Sequence, residues 1–212
     1  MARKPAFRRV WLVLAASLAA LPVLLQPLPV AASSTGTLFG IDIRRPAVVS
    51  IDPTTGATTP VADLSVANQP APGFVDSMAS DPATHRLFLV RILFDFSTGF
   101  PTTTYQLITV DSQGKGVVNV SPGLAHPVTS LAFDTSTGTL LGFTGDCCPN
   151  QIVSINPASG ALTHIADVIG DSFSFIAFSP STHSLYLDSE SFAQPFPNPP
   201  LNTLLIVDTT QV

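Results

Sequence analysis

"LAFDTSTGTL" at residues 131–140 has two near-copies in the same chain, "MASDPATHRL" at 78–87 and "IAFSPSTHSL" at 176–185. Each copy joins an apolar segment, a polar turn and a second apolar segment, as in "SLAF", "DTSTG" and "TLLGF". Apolar runs on either side of a short Gly-containing turn read as a β-hairpin. The last turn residue is Gly138 in one copy and His85 and His183 in the others. That place calls for a positive φ, which Gly tolerates best and His adopts more readily than most side chains.

A second phrase alternates with the first: "VSIDPTTGAT" at 49–58, "ITVDSQGKGV" at 108–117, "VSINPASGAL" at 153–162 and the opening of a fourth in "LIVDTTQV" at 205–212. It is also a hairpin, with Asp or Asn starting the turn and Gly closing it. One full unit is therefore four strands, here called a, b, c and d. Met78, Leu131 and Ile176 lie 53 and 45 residues apart, and Asp52, Asp111, Asn156 and Asp208 lie 59, 45 and 52 apart. Periods of about 40 to 50 residues match four-stranded propeller blades.

The couplet of "LAFDTSTGTL" and "IVSINPASGAL" resembles the blade repeat of secreted bacterial β-propeller proteins, loosely related to the WD40-like, NHL and YVTN repeats. The Trp-Asp signature of true WD40 blades is absent, since the single tryptophan is Trp11. The resemblance implies an all-β propeller and leaves activity open, because such folds serve scaffolds, binding modules and enzymes alike. Blade units fall at about residues 36–74, 75–127, 128–172 and 173–212. "GTLFGIDI" matches strand b and "TLLIVDTTQV" matches strand c, so the strands run b-c-d, a-b-c-d, a-b-c-d, a-b-c. The first and last blades are thus incomplete, although closed propellers have about four or more whole blades. Three explanations stand: a fragment of a larger propeller, irregular terminal strands, or self-association through open edges such as "TLLIVD".

Residues 1–32 read as an export signal and 33–212 as the propeller domain. Arg3, Lys4, Arg8 and Arg9 precede an apolar run from Val10 to Val30, and small residues follow in "VAASS". A retained membrane anchor is the rival reading, disfavoured by Pro22, Pro27 and Pro29 within the run. Cleavage after Ala32 leaves five basic residues against fourteen acidic ones, a net charge of −9. A surface of that sign repels phosphate backbones and anionic lipids, which argues against nucleic-acid binding and against membrane association after cleavage. The expected location is secreted, periplasmic or extracellular.

Strand alternation sends the a–b and c–d turns to one face and the b–c and d–a connections to the other. The second set is irregular: 91–105, 143–151 and 189–203 for b–c, and 65–76, 121–129 and 169–174 for d–a. Phe94, Phe96, Phe100, Phe192 and Phe196 stand there among prolines, with His126 in "GLAHPV". Exposed rings on such loops suit a peptide, protein or carbohydrate ligand; the plainer alternative is that they fold back as satellite cores.

Cys147 and Cys148 are adjacent in "GDCCPN" and could close a vicinal disulfide in an oxidising compartment. Their spacing is not that of a C-x-x-C thiol-exchange motif, and no metal or cofactor is expected there. Asp52, Asp81, Asp111, Asp134 and Asp208 each begin a turn, where the side chain bonds the backbone two residues on, so their repetition needs no calcium. His85, His164 and His183 read as structural. The expected function is an exported binding or scaffold module. Its rival is a hydrolase or lyase at the channel mouth using Asp76, Asp146 or Asp171, and a third reading makes the chain a fragment without independent activity.

Overall fold

Among the residues that the computed structural model describes, 37–65, 73–97, 99–145, 150–168, 173–191 and 201–208, the apolar runs and turn signals produce fourteen strands and no helix. Blade 1 holds β1 (Leu38–Asp42), β2 (Ala47–Ile51) and β3 (Thr58–Asp63). Blade 2 holds β4 (Gly73–Asp81), β5 (Arg86–Asp95), β6 (Thr102–Asp111) and β7 (Gly116–Val120). Blade 3 holds β8 (Val128–Asp134), β9 (Thr139–Thr144), β10 (Asn150–Ile155) and β11 (Leu162–Val168). Blade 4 holds β12 (Phe173–Ser179), β13 (Ser184–Ser191) and β14 (Leu201–Asp208). Every sheet is an antiparallel meander, with three, four, four and three strands in the order the sequence requires. The expected leader lies outside the described residues.

In the two whole blades the strands b hold continuous apolar runs, "LFLV" in β5 and "LLGF" in β9, because both faces are covered there. In β5, Leu87 and Leu89 enter a cluster with Val48, Ala62 and Leu64 of blade 1 and its end, while Phe88 and Val90 meet Leu131, Leu140 and Val153 of blade 3. In β9 the same alternation points Leu140 back to blade 2 and Leu141 and Phe143 onward to Ile176, Leu185 and Leu187 of blade 4. Leu87, Leu89, Val90, Leu107 and Ile108 are sealed from water. Burial of such a side chain stabilises by about 1.5–3 kcal/mol, so the inter-blade layers dominate the fold's stability.

The inner strands β4, β8 and β12 lie side by side. Each carries a β-bulge, at Asp76, Thr129 and Ser174. One residue after the first two bulges a serine reaches the next blade: Leu131 N donates to Ser77 Oγ at 2.7 Å, and Ile176 N donates to Ser130 Oγ at 3.0 Å. A bulge re-aims the strand locally, and here it brings a hydroxyl to a backbone N–H that no ladder would serve. In blade 4 the corresponding residue is Phe175, which is 69% exposed. Leu204 and Ile206 of the edge strand β14 are exposed as well.

The turns carry the expected side-chain bonds. Asp52 Oδ1 accepts from Thr54 N and Thr55 N, Asp81 from Ala83 N, Asp111 from Gln113 N, and Asp134 from Ser136 N and Thr137 N; the Asp208 side chain lies outside the described residues. Gly138 has φ 72°, and His85 and His183 have φ 55° and 49°, which confirms the conformation read from the repeat. A Cβ at Gly138 would meet nothing within 4 Å, so the demand there comes from the backbone alone.

These hydrogen bonds move the acids. Backbone bonds from Thr54 and Thr55 hold the Asp52 carboxyl below its ordinary 3.8. For Asp134, burial opposes ionisation, but the side-chain and backbone bonds from Ser136 and Thr137 outweigh it and the net direction is also downward. A carboxyl lowered in the folded state stabilises fully above its unfolded value, and that stability is lost as pH falls through the folded one.

Two outcomes are expected. Ser130→Ala leaves the Ile176 N–H without its acceptor and costs about 1–3 kcal/mol in urea unfolding; a change within error would remove the inter-blade role of that bond. Thermal midpoints fall as pH is lowered from about 5 to 3, and Asp134→Asn, which keeps an acceptor oxygen as Asn156 does in its own turn, flattens that fall.

Candidate functional site

The loops opposite the repeated turns are shorter than the sequence suggests. β5 and β6 stay paired out to Asp95 and Thr102, so the stretch expected as a loop over 91–105 is a loop only over 96–101. Alternating "TTTYQLITV" is rich in β-branched residues, and "RLFLVRIL" opposite it is apolar enough to extend the ladder. The other b–c connections shrink likewise, because β9 ends at Thr144 and β10 begins at Asn150, while β13 ends at Ser191 and β14 begins at Leu201. For the d–a connections, β4 starts at Gly73, inside the expected loop 65–76.

This register decides the fate of the phenylalanines. Phe94 sits in the ladder opposite Thr103 and is half-buried, so its expected place on a loop is corrected. Its ring centroid lies 5.8 Å from that of Phe74 and 6.4 Å from that of Phe96. Nothing in the sequence marks Phe74 as a site residue. It pairs across the sheet with Ile92, two residues from Phe94 on the same face, and only the register reveals that neighbourhood. Phe96 and Phe100 are 61% and 81% exposed. Phe94 thus packs among neighbouring rings, while Phe96 and Phe100 project.

The loop that presents them is closed by the Asp95–Thr102 pair and braced from within. Asp95 Oδ1 accepts Ser97 N at 2.8 Å, which also keeps the Asp95 carboxyl below its ordinary value, and Gly99 N donates to Phe96 O at 3.4 Å. Gly99 takes φ 81°. Beneath the loop, the buried Arg91 donates through Nη2 to Gln106 Oε1 at 2.8 Å, and Gln106 Nε2 donates to Pro122 O at 3.3 Å. Burial lowers the pKa of the Arg91 guanidinium from its ordinary value. Leu124 N donates to Tyr105 O at 2.7 Å, so the 121–127 connection is fastened to β6.

His126 lies exposed on that connection. Phe192, Phe196, Cys147, Cys148, Asp146 and Asp171 lie outside the described residues. Asp76 occupies the bulge of β4; its side chain reaches water, yet desolvation by the surrounding protein raises its pKa. His164 bonds Asp167 Oδ1 through Nε2 at 2.9 Å on the surface of β11, in keeping with a structural role. Among the described residues, no group of three or more His, Cys, Asp or Glu is placed to hold a metal ion, and no helix is long and apolar enough to cross a membrane. The arrangement offers flat apolar rings beside carboxylates, which suits contact more than bond cleavage.

No protein-family model matches the chain, and no curated protein sequence is significantly similar to it. Solved structures do resemble it. A chain of the nidogen/laminin complex aligns at 14% identity with a TM-score of 0.53, covering 80% of this chain and 60% of that one. TolB from Acinetobacter baumannii aligns at 12% identity and a TM-score of 0.39, covering 82% and 50%. The PQQ-bound aldose sugar dehydrogenase from Streptomyces coelicolor aligns at 16% identity and 0.36, covering 79% and 78%. This chain thus spans about three fifths of the first of these, and the last two scores are too low to carry an argument. At such identities the likeness concerns fold and not activity. With the sheets described above, it makes the chain an all-β protein of β-propeller fold, with four-stranded antiparallel blades flanked by incomplete first and last blades.

Proposed function

We propose that the protein is an exported binding module whose ligand face is the b–c and d–a end of the propeller. One observation carries the reading: Phe96 and Phe100 stand 61% and 81% exposed on a short loop that the Asp95–Thr102 pair closes and two hydrogen bonds brace, with Phe94 and Phe74 packed behind Phe96. A single exposed apolar residue is ordinary on a protein surface, but two exposed rings on one braced loop are expensive to leave in water and inexpensive to order on binding. The ligand class is a peptide, protein or carbohydrate surface, and the basic, apolar leader accounts for export.

The test is retention of the purified protein on glycan and peptide arrays, repeated with Phe96→Ala/Phe100→Ala. Truncating two anchor rings is expected to weaken retention by about tenfold or more, with the far-ultraviolet circular dichroism unchanged. Retention that survives the double substitution places the ligand elsewhere.

A second reading, hydrolase or lyase chemistry at the channel mouth, draws its support from Asp76, whose raised carboxyl is the kind of group that serves as a general acid. A carboxyl raised by desolvation opposes folding while it is ionised. Asp76→Asn is therefore expected to raise the urea midpoint at pH 7 and to change it little at pH 3. If the same substitution also abolishes turnover in a broad hydrolase screen, the enzyme reading replaces the binding one.

A further inference from the structure

Blade 4 turns an uncovered apolar face away from blade 3. Phe175, Leu204 and Ile206 stand 69%, 61% and 59% exposed on it. Ala177 and Tyr186 share that face, because Phe175 and Leu204 both pair with Asp188 while Ala177 and Ile206 both pair with Tyr186. Contiguous apolar surface of this kind marks an interaction site, unlike apolar residues scattered singly.

The repeat shows what such a face receives. Aligning "MASDPATHRLFLV" with "IAFSPSTHSLYLD", and "QLITVD" with "TLLIVD", sets Ala79, Phe88 and Leu107 of blade 2 against Ala177, Tyr186 and Leu204 of blade 4. In blade 2 these residues are buried under blade 3, where Leu140, Val153 and Ile155 pack on them. Two further alignments, "TLLGF" with "TLFGI" at 37–41 and "VSINPASG" with "VSIDPTTG", put Leu38, Val49 and Ile51 of blade 1 in the places of those three. They alternate with Phe39, Ile41 and Val48, which meet blade 2, and so lie on the face of blade 1 that turns away from it. The match extends to a glycine: a Cβ on Gly142 would come within 2.7 Å of Ile155 Cδ1, and one on Gly40 within 2.8 Å of Ile51 Cδ1. Both glycines make room for an isoleucine on the same face of the blade.

Within one copy these two faces do not meet. Leu107 and Leu140 are sealed at the junction of blades 2 and 3, whereas their counterparts Leu204 and Leu38 stand 61% and 51% exposed; Val49, in the central strand, is covered. Position 175 identifies the kind of blade that the face accepts. Ser77 and Ser130 occupy it in blades 2 and 3, and each accepts an N–H from strand a of the following blade. A whole following blade would bring a strand a whose N–H calls for that hydroxyl, but blade 1, whose described sheet starts at strand b, brings none. Phe175 in place of the serine therefore fits blade 1, where it covers the side of β1 that an inner strand covers elsewhere. Among the described residues Asp188 is the only charged one on the blade 4 face, and Arg44 and Arg45 lie exposed just past β1, towards the same end of the sheet. The Asp42 carboxylate is turned onto its own turn, accepting Arg44 N and Arg45 N.

We infer that the outward face of blade 4 docks on the outward face of blade 1 of a second copy of this chain, and that two copies close head to tail through two identical junctions. A head-to-tail contact either closes into a ring or grows into a filament. Two copies hold eight blades in all, within the range of about four to eight found in typical propellers, and closure at two leaves neither face uncovered.

The experiment is the mass of the exported protein by light scattering after size-exclusion chromatography, read over a range of concentrations. Twice the chain mass is expected. Leu204→Glu and Leu38→Glu, one on each face, are each expected to weaken the pairing by about tenfold or more, with the far-ultraviolet circular dichroism unchanged because both side chains are exposed in the single copy. An equimolar mixture of the two variants should regain part of the dimer, since one junction in it is intact. Should the glutamate variants fail to fold, Phe175→Ser, which restores the residue of blades 2 and 3, tests the same junction and is also expected to weaken the pairing by about tenfold. The proposal is overturned by any of four results: a monomer at every concentration; a mass that grows beyond two copies; a dimer that Leu38→Glu leaves intact, as when two blade 4 faces pair with each other; or a longer covalent chain whose further blades cover the face.

Discussion

Two-sided burial is the constraint on which the rest of the structure depends. A four-stranded sheet with apolar residues on both faces cannot be stable alone, and each blade here is completed by its neighbours. β5 and β9 show the consequence in their sequences, where "LFLV" and "LLGF" are apolar without alternation because successive side chains enter different inter-blade layers. The inner strands add a directional element, since Ser77 and Ser130 accept backbone N–H groups from the following blade. Burial supplies most of the energy, and the serine bonds tie neighbouring inner strands to one another.

Much of this architecture is legible in the amino-acid sequence. The number of strands, their grouping into three, four, four and three, and the Asx-type turns follow from two interleaved phrases, because turn chemistry is local and is written in a few residues. The positive φ at His85 and His183 is readable for the same reason, from Gly138 at the third copy of the position. The phenylalanine face is less legible. Where β5 stops and β6 begins depends on cross-strand pairing, so Phe94 reads as a loop residue although it belongs to the ladder, and Phe74 beside it carries no signal of its own. Bulges at Asp76, Thr129 and Ser174 have no local signature either, since the extra residue is defined only against its partner strand.

The two ends of the propeller differ in kind. At the turn end the repeat dominates, and Asx bonds, left-handed turn residues and contacts such as Ser136 Oγ to His183 Nδ1 at 3.2 Å leave little freedom. At the other end each connection has its own length and composition, and there the rings of Phe96 and Phe100 project on a loop that Asp95 and Gly99 hold in place. A rigid frame with variable loops at one end is the usual division of labour in repeat architectures.

The central claim is that each blade draws its stability from the neighbours on its two faces, and amide hydrogen exchange of the folded monomer tests it most directly. β5, β6, β9 and β10, in the blades covered on both sides, should exchange far more slowly than β1, β2 and β13, in the three-stranded blades. Equal protection across all four sheets, or slower exchange in the terminal blades, would mean that the blades are stabilised individually and would contradict the account.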